Sequence, residues 1–155
     1  MTPLSYFFDT SALFKRYVNE AGSPIVNRLL DSGAPCYISM ATLTEVVANL
    51  RRLVDVDQVI SNDEFKQVKE SFLGEIGAGT LGTVPLTPAI ILTSLEICSL
   101  RYVTPLDAIQ LSSALSLGDK TIFVCSDLKL LHLAKHYGLQ TLNPAEEDWL
   151  KDLGV

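Results

Sequence analysis

Four acidic residues stand out because each lies in or directly after an apolar run. They occur in "YFFDTSAL", "TLTEVV", "TPLDAIQL" and "FVCSDLKLL", as Asp9, Glu45, Asp107 and Asp127. Carboxylates among core residues are rare unless they are paired or bound to a metal, and the nearby basic residues are too few to pair all four. A divalent cation is the simpler solution. Carboxylate oxygens suit Mg²⁺ or Mn²⁺ rather than zinc, and such ions support the hydrolysis of phosphoesters.

Helix capping is the alternative explanation for each acid taken singly. Asp9 and Asp127 are placed to cap the helices that follow them. Glu45 and Asp107 each lie three residues after a threonine, which is the spacing of a capping box or a close variant. Glu64 has the same spacing after a serine, but it lies in the polar stretch "ISNDEFKQVKES". We therefore interpret Glu64 as a cap only.

The elements that must position these acids alternate between short strands and helices. The strand candidates are 4–8, 36–39, 83–86, 121–125 and 139–142. The helix candidates are 40–54, 63–76, 88–100, 105–117, 128–137 and a short one in the tail "PAEEDWLKDLG". This alternation predicts an α/β fold with a mainly parallel sheet. Because ligands bind at the carboxyl ends of such strands, we expect Asp9 and Asp127 to share a site.

The composition predicts one domain, 1–155. A chain in which 48% of 155 residues are apolar can bury a core without disulfides. Its 18 acidic and 12 basic residues give a net charge of −6, which argues against general nucleic-acid binding. Two divalent ions facing the four acids would change that charge to −2, so local basic residues could then meet a substrate's phosphates.

We expect a soluble, cytoplasmic protein without a membrane segment. The first apolar run has no basic stretch before it and is interrupted by Asp9, unlike a signal peptide. No apolar run approaches the ~20 residues that a membrane helix needs. The three cysteines, Cys36, Cys98 and Cys125, include no C-x-x-C pair. We interpret them as small buried residues in a reducing compartment.

Three further patterns suggest other chemistry and fit less well. "GAGTLG" at 77–82 matches G-x-G-x-x-G, but it follows a helix and leads into a strand, the reverse of a dinucleotide-binding turn. His132 and His136 have the spacing to hold zinc from one helix, yet no clear third ligand accompanies them. An aspartyl-phosphate phosphatase would have a second aspartate at the position of Ser11.

The four segments, in this order, resemble those of the PIN-domain nucleases, most like the VapC-type toxins of toxin–antitoxin systems. The resemblance rests on "DTSALFKRY", "TEV", "TPLDAIQLSSAL" and "FVCSDLKLLHLAKHYGLQTLNP", and it spans residues 4–144. It implies a three-layer fold in which helices flank a short, mainly parallel central sheet. It also implies metal-dependent cleavage of RNA that leaves a 5′-phosphate and a 3′-hydroxyl. Residues 55–82 correspond to the family's most variable part.

The resemblance also implies roles for individual residues. Asp9 becomes the central ligand of Mg²⁺ or Mn²⁺, and Glu45 and Asp107 complete the shell. Asp127 binds a second ion or orients the attacking water. Ser11 supports the first aspartate, and we place Ser126 in a similar role. Helix capping is the alternative for both serines.

Partners follow from the same resemblance: an RNA substrate, an antitoxin that blocks the site, and a second copy of the chain. The candidate RNA contacts are Lys15, Arg16, Arg51, Arg52 and Lys129. Ordinary surface charge is the alternative for each of them. Two other functions stay open. One is a PIN domain that binds RNA or protein with little or no catalysis, and the other is a housekeeping nuclease that processes RNA or acts on DNA.

Overall fold

The computed structural model describes residues 4–146, in which five strands alternate with seven helices. The strands are β1 (Ser5–Phe8), β2 (Cys36–Ser39), β3 (Gly82–Val84), β4 (Thr121–Val124) and β5 (Gln140–Leu142). The helices are α1 (Thr10–Phe14), α2 (Ser23–Leu30), α3 (Met40–Asp55), α4 (Asn62–Gly77), α5 (Pro88–Leu100), α6 (Pro105–Leu115) and α7 (Leu128–His136). The helix predicted in the tail falls almost wholly outside the described residues.

The five strands form one sheet in the order β3-β2-β1-β4-β5. All four pairings between them are parallel, with Tyr6 opposite Cys36 on one side of β1 and Phe7 opposite Phe123 on the other. The α/β fold with a parallel sheet is therefore confirmed. Because β1 is the central strand, the residue that follows it lies at the middle of the sheet's carboxyl edge.

Helices cover both faces of the sheet because successive side chains of a strand point to opposite faces. In β1, Phe8 packs into a core with residues of α2, α3 and α4, such as Val26 and Leu50. Its neighbour Phe7 packs into a second core with residues of α5, α6 and α7, such as Leu111. Two cores on one central sheet make the three layers that were predicted.

The structure adds two helices that the sequence patterns did not predict. The first, α1, has only five residues, which is too short for a periodic signal. The second, α2, starts after Gly22, which has a φ of 95° and no side chain to mark a cap. A side chain at Gly22 would approach the backbone of Pro144 to 2.8 Å, so the chain needs glycine there for both reasons.

Two other interpretations meet a clear outcome. The glycine-rich stretch 77–82 runs from the end of α4 to the start of β3, as predicted. Cys36 and Cys125 are buried, but Cys98 is exposed, so the interpretation of all three cysteines as buried was wrong for Cys98. In the part of the chain that the structure describes, no helix is both long and apolar enough to cross a bilayer.

Candidate active site at the carboxyl edge of the sheet

Asp9 sits directly after β1 and is almost fully buried, with 5% of its surface exposed. Its side chain caps α1, since Oδ1 accepts a hydrogen bond of 2.9 Å from the amide of Ala12. The hydroxyl of Ser11 lies 2.9 Å from both carboxylate oxygens. The thiol of Cys125 donates to Oδ2 at 3.2 Å. Capping and burial thus hold this carboxylate in one place.

Burial raises the pKa of Asp9 to about 6. The hydrogen bonds from Ala12, Cys125 and Ser11 favour the charged form and oppose this shift, while the negative charge of Asp107 adds to it. Within residues 4–146, none of the four acids forms an ion pair with a basic side chain. The charged form of such a buried carboxylate would be stabilised by a bound cation.

Glu45 projects from the second turn of α3 and is half-buried. The cap of α3 is Ser39 and not Thr42, so the capping explanation for Glu45 is wrong. Its Oε2 instead accepts a hydrogen bond of 2.6 Å from the hydroxyl of Thr10, the residue after Asp9. This contact joins Glu45 to the end of β1.

A buried polar network holds that contact in place. The side-chain amide of Gln110 on α6 donates to Thr10 Oγ1 at 3.0 Å and to Thr42 Oγ1 at 2.8 Å. The two threonine hydroxyls lie 3.2 Å apart. Because the single hydroxyl proton of Thr10 goes to Glu45, Thr42 must donate to Thr10. The network therefore ties α1, α3 and α6 together beside the site.

Asp107 lies in the first turn of α6, where Thr104 is the cap residue. Its amide donates to the hydroxyl of Thr104 at 3.3 Å. Partial burial raises the pKa of the Asp107 carboxyl, the negative charge of Asp127 adds to that shift, and the Thr104 hydroxyl opposes it. The negative charge of Asp107 thus acts on Asp9, and the negative charge of Asp127 acts on Asp107.

Asp127 is exposed and caps α7, because its Oδ1 accepts from the amides of Lys129 at 2.9 Å and Leu130 at 3.2 Å. Its own amide donates to the sulfur of Cys125 at 3.3 Å. Cys125 therefore connects Asp9 and Asp127 across the neighbouring ends of β1 and β4. The hydroxyl of Ser126 is buried and has no hydrogen-bond partner among the described residues.

The four carboxylates suit an ion that prefers oxygen ligands, such as Mg²⁺ or Mn²⁺. No basic side chain of the described chain pairs with any of them. As the side chains lie, no three His, Cys, Asp or Glu residues of the described chain are gathered closely enough to hold one ion. Glu45 turns toward Thr10, and Asp127 lies at the exposed rim. The carboxylates suit such an ion in their chemistry, and the side chains would have to turn inward to surround it.

Arg16, a candidate for RNA contact, has its guanidinium engaged within the fold. It donates to Glu75 and Asp31 at 2.9 Å each and to Asn27 at 3.1 Å. Its side chain is 19% exposed. These hydrogen bonds raise the pKa of Arg16 further above its usual range and bridge α2 to α4.

Of the remaining basic candidates for RNA contact, three pair with carboxylates and one, among the described residues, does not. Lys15 is buried beside Glu20, at 3.4 Å. The exposed Arg51 lies beside Asp55, and the exposed Arg52 lies beside Asp57. Lys129 forms no ion pair within the described chain. It borders a cleft of about 600 Å³ that also includes Asp107 and Asp127.

Sequence reasoning missed the residues that hold the acids in place: Thr10, Thr42, Gln110 and Cys125. A signal existed for Gln110, which is a polar residue between the apolar Ile109 and Leu111 in the sequence of α6. Its partners could not be found from the sequence, because Gln110 and Thr10 are 100 residues apart.

Solved structures of toxin–antitoxin proteins share this fold. The toxin–antitoxin complex from Klebsiella pneumoniae is 17% identical, covers 91% of this chain and 98% of that chain, and has a TM-score of 0.65. VapBC2 from Rickettsia felis, bound to a DNA fragment from the promoter, is 14% identical. It covers 90% of this chain and 98% of that chain, with a TM-score of 0.65. VapBC-1 from nontypeable Haemophilus influenzae is 16% identical and covers 92% of this chain and 100% of that chain, with a TM-score of 0.61.

The family match is independent of those structures. No protein with a curated description matches this chain. The model of the PIN domain matches residues 6–135, which is well over half of the 155 residues and includes all four acids. This chain therefore belongs to the PIN domain family.

Proposed function

We propose that this protein is a metal-dependent endoribonuclease and the toxin of a toxin–antitoxin pair. One observation supports this most directly. Asp9 is buried at the end of the central strand, has no basic partner in the described chain, and lies within the electrostatic reach of Asp107, which in turn is within reach of Asp127. Such a cluster is unfavourable by itself and becomes favourable when a cation joins it.

Asp9, Glu45, Asp107 and Asp127 would hold Mg²⁺ or Mn²⁺ in this proposal. Such an ion, when bound, activates a water and offsets the charge of a phosphate. Ser11 and Cys125 orient the Asp9 carboxylate through their hydrogen bonds. Thr10 does the same for Glu45. Asp127, which is exposed, would bind a second ion or orient the attacking water.

The proposed reaction is hydrolysis of a phosphodiester bond in RNA. Water adds its oxygen to phosphorus while the bond from phosphorus to the 3′ oxygen breaks. One proton of the water ends on that 3′ oxygen, so the products carry a 5′-phosphate and a 3′-hydroxyl. The raised pKa of Asp9 indicates that this carboxyl must lose its proton before the site reaches full charge.

We also propose two protein partners: an antitoxin and a second copy of the chain. The similar structures from Klebsiella pneumoniae, Rickettsia felis and Haemophilus influenzae support the first, since their names describe toxin–antitoxin complexes or VapBC proteins. Large apolar side chains exposed on α5, including Leu92 at 63% and Leu95 at 56%, support a contact with another chain. Co-purification with the product of a neighbouring small gene would test the antitoxin, and light scattering would test the dimer.

Cleavage of a mixed single-stranded RNA pool by the purified protein tests the main proposal. We would run it with Mn²⁺, with Mg²⁺ and with EDTA, beside Asp9→Asn. The expected result is cleavage that needs both the metal and Asp9 and leaves 5′-phosphate ends. The circular dichroism spectrum of Asp9→Asn should match that of the parent, so that a lost activity is not a lost fold.

Two results would contradict the proposal. Undiminished cleavage by Asp9→Asn would show that the four acids are not the catalytic site. If folded protein cleaved nothing under any of the three conditions, calorimetric titration with Mn²⁺ would come next. Binding of Mn²⁺ without cleavage would favour a non-catalytic PIN domain, and no binding would remove the metal site as well.

A further inference from the structure

A cleft of about 600 Å³ opens beside Asp107 and Asp127 and is larger than an ion requires. Its volume lies within the range of about 300–1,000 Å³ that is typical of small-molecule sites. One wall comes from the connection between α5 and α6, which includes Arg101, Tyr102 and Val103. Residues from the first turns of α7 also line the cleft. The cleft therefore joins the acidic cluster to a mixed aromatic and basic surface.

Tyr102 is the most unusual residue of this cleft, because 91% of its surface is exposed. None of the aromatic pairs in the described chain includes it, and no hydrogen bond there holds its hydroxyl. It follows Arg101, whose backbone is extended, and it precedes the cap of α6 by two residues. A large ring left free beside a candidate active site is available for stacking on a flat ligand.

Two basic side chains of the cleft could contact phosphate groups, while the two acids of the cleft would be met by the proposed cation. Arg101 and Lys129 both border the cleft, and neither forms an ion pair within residues 4–146. By contrast, Arg16 and Arg51 are bound to carboxylates elsewhere. Leu130 and other apolar side chains of α7 also line the cleft. Basic side chains next to an aromatic face are the usual combination for single-stranded nucleic acid.

We propose that this cleft binds one unpaired nucleotide next to the scissile phosphate, with its base stacked on Tyr102. Arg101 and Lys129 would contact the adjoining phosphates. A base inside a duplex is already stacked and paired, so only loops, ends and single strands can present one to the ring. The inference rests on the proposed nuclease function and adds to it the residues that would hold the nucleotide.

Binding of a short labelled single-stranded RNA, followed by fluorescence anisotropy, tests the stacking directly. We would measure it with Mg²⁺ in the Asp9→Asn background, so that cleavage does not consume the probe. Tyr102→Ala should weaken binding by about 5-fold or more, since stacking on an aromatic side chain contributes ~1–3 kcal/mol per base. Tyr102→Phe keeps the ring and should bind like its parent. Leu73→Ala, which truncates an exposed apolar residue on α4 outside the cleft, should also bind like its parent.

Several results would overturn the inference. Binding of Tyr102→Ala within twofold of its parent would show that the ring does not stack, and so would an equal loss of affinity in Tyr102→Phe and Tyr102→Ala. Failure of any single-stranded RNA to bind would also overturn it.

A second assay compares cleavage in the loop and in the stem of one hairpin by the otherwise unmodified protein. Tyr102→Ala should lower the loop's advantage, and an unchanged ratio would count against the inference.

These outcomes separate the inference from the proposed function. If RNA binds through Tyr102 but the parent protein never cleaves it, the nuclease proposal fails and the nucleotide site remains. If the parent cleaves RNA through Asp9 and Tyr102→Ala changes neither affinity nor loop preference, the nuclease proposal remains and the nucleotide site fails.

Discussion

The hydroxyl of Thr10 donates a hydrogen bond of 2.6 Å to the carboxylate of Glu45, although 35 residues separate the two in the sequence. Thr10 is 5% exposed, and it also accepts a hydrogen bond from Gln110. One hydroxyl thus connects an acid on α3 to the helix that carries Asp107. The position of Glu45 depends on this buried contact and not on a local cap.

Removing that hydroxyl should affect stability and metal binding together. Thr10→Val removes the hydroxyl that donates to Glu45 and leaves the buried amide of Gln110 with Thr42 alone, so we expect the free energy of unfolding to fall by ~1–3 kcal/mol. Affinity for Mn²⁺ should fall by about 10- to 100-fold, as is typical when a residue that orients a ligand is lost. Urea denaturation and calorimetric titration measure the two effects.

Thr10→Ser is the matched control, because it keeps the hydroxyl and removes only a methyl group. We expect it to lose about 1 kcal/mol of stability and to bind Mn²⁺ like the parent. Parent-like Mn²⁺ affinity in Thr10→Val would show that Thr10 does not position Glu45 for metal.

The buried charge of Asp9 predicts how stability depends on pH when no metal is bound. Since the pKa of Asp9 in the folded protein is about 6, and an aspartate in an unfolded chain has a pKa near 3.9, the folded state takes up this proton first. The free energy of unfolding should therefore rise as the pH falls through 6 toward 4, by up to ~3 kcal/mol from this group. Urea denaturation in EDTA near pH 7.5 and near pH 5 measures the trend.

Asp9→Asn isolates that contribution, because other carboxylates titrate in the same range. The asparagine removes the buried charge and keeps an oxygen that can accept from Ala12. We expect this variant to be more stable than the parent near neutral pH and to lack the gain on acidification. If the two proteins gained equally as the pH fell, Asp9 would not be the group responsible.

Glu64 tests whether the polar context of an acid separates a cap from a ligand. The structure shows a complete capping box, in which Ser61 Oγ accepts from the amide of Glu64 at 3.0 Å and Glu64 Oε1 accepts from the amide of Ser61 at 3.1 Å. Glu64→Gln keeps an acceptor oxygen, so cleavage should stay within about twofold of the parent. Loss of a charge at a helix N-terminus should reduce stability by ~0.3–1 kcal/mol.

Asp107→Asn is the matched comparison, since Asp107 also lies three residues after a hydroxyl cap. It should lose nearly all cleavage under the same assay. Equal effects in Asp107→Asn and Glu64→Gln would remove the distinction between the two acids.

Arg16 should contribute to stability and not to RNA binding. Its guanidinium joins Glu75 and Asp31, and Glu75 also accepts a hydrogen bond of 3.0 Å from the hydroxyl of Tyr17. Arg16→Ala leaves the half-buried Glu75 without its basic partner, so we expect ~1–3 kcal/mol of destabilisation. Anisotropy titrations with single-stranded RNA should show little change at temperatures where the variant is folded.

Lys129→Ala provides the opposite case in the same titrations. Because Lys129 borders the cleft and has no ion pair in the described chain, its loss should weaken RNA binding with little effect on stability. The slope of log affinity against log salt concentration should become shallower by about 0.7 for one lost phosphate contact on a single strand. A larger effect of Arg16→Ala than of Lys129→Ala on RNA affinity would contradict both assignments.

The elements of this fold could be predicted because their signals are local. Thr87-Pro88 and Thr104-Pro105 mark helix starts where a cap residue precedes proline, and α5 and α6 begin at those prolines. The apolar run at 36–39 matches β2 without error. The five-residue α1 was missed because it is too short to show a period, although Asp9 caps it. The helix α2 was missed because Gly22 provides no cap side chain, although Ile25, Val26, Leu29 and Leu30 have helical spacing.

The sequence by itself determined which acids are candidates for the metal site. It also determined that these acids follow or flank the elements of a parallel sheet. Local chemistry suffices for that, since an acid inside an apolar run requires a partner wherever the run folds. Only the tertiary structure decided what holds each acid. Glu45 depends on Thr10 and Gln110, and Asp9 is linked to Asp127 through Cys125. These contacts join residues as many as 116 positions apart. They exist because the parallel sheet brings the ends of β1 and β4 side by side, and no local pattern records that order.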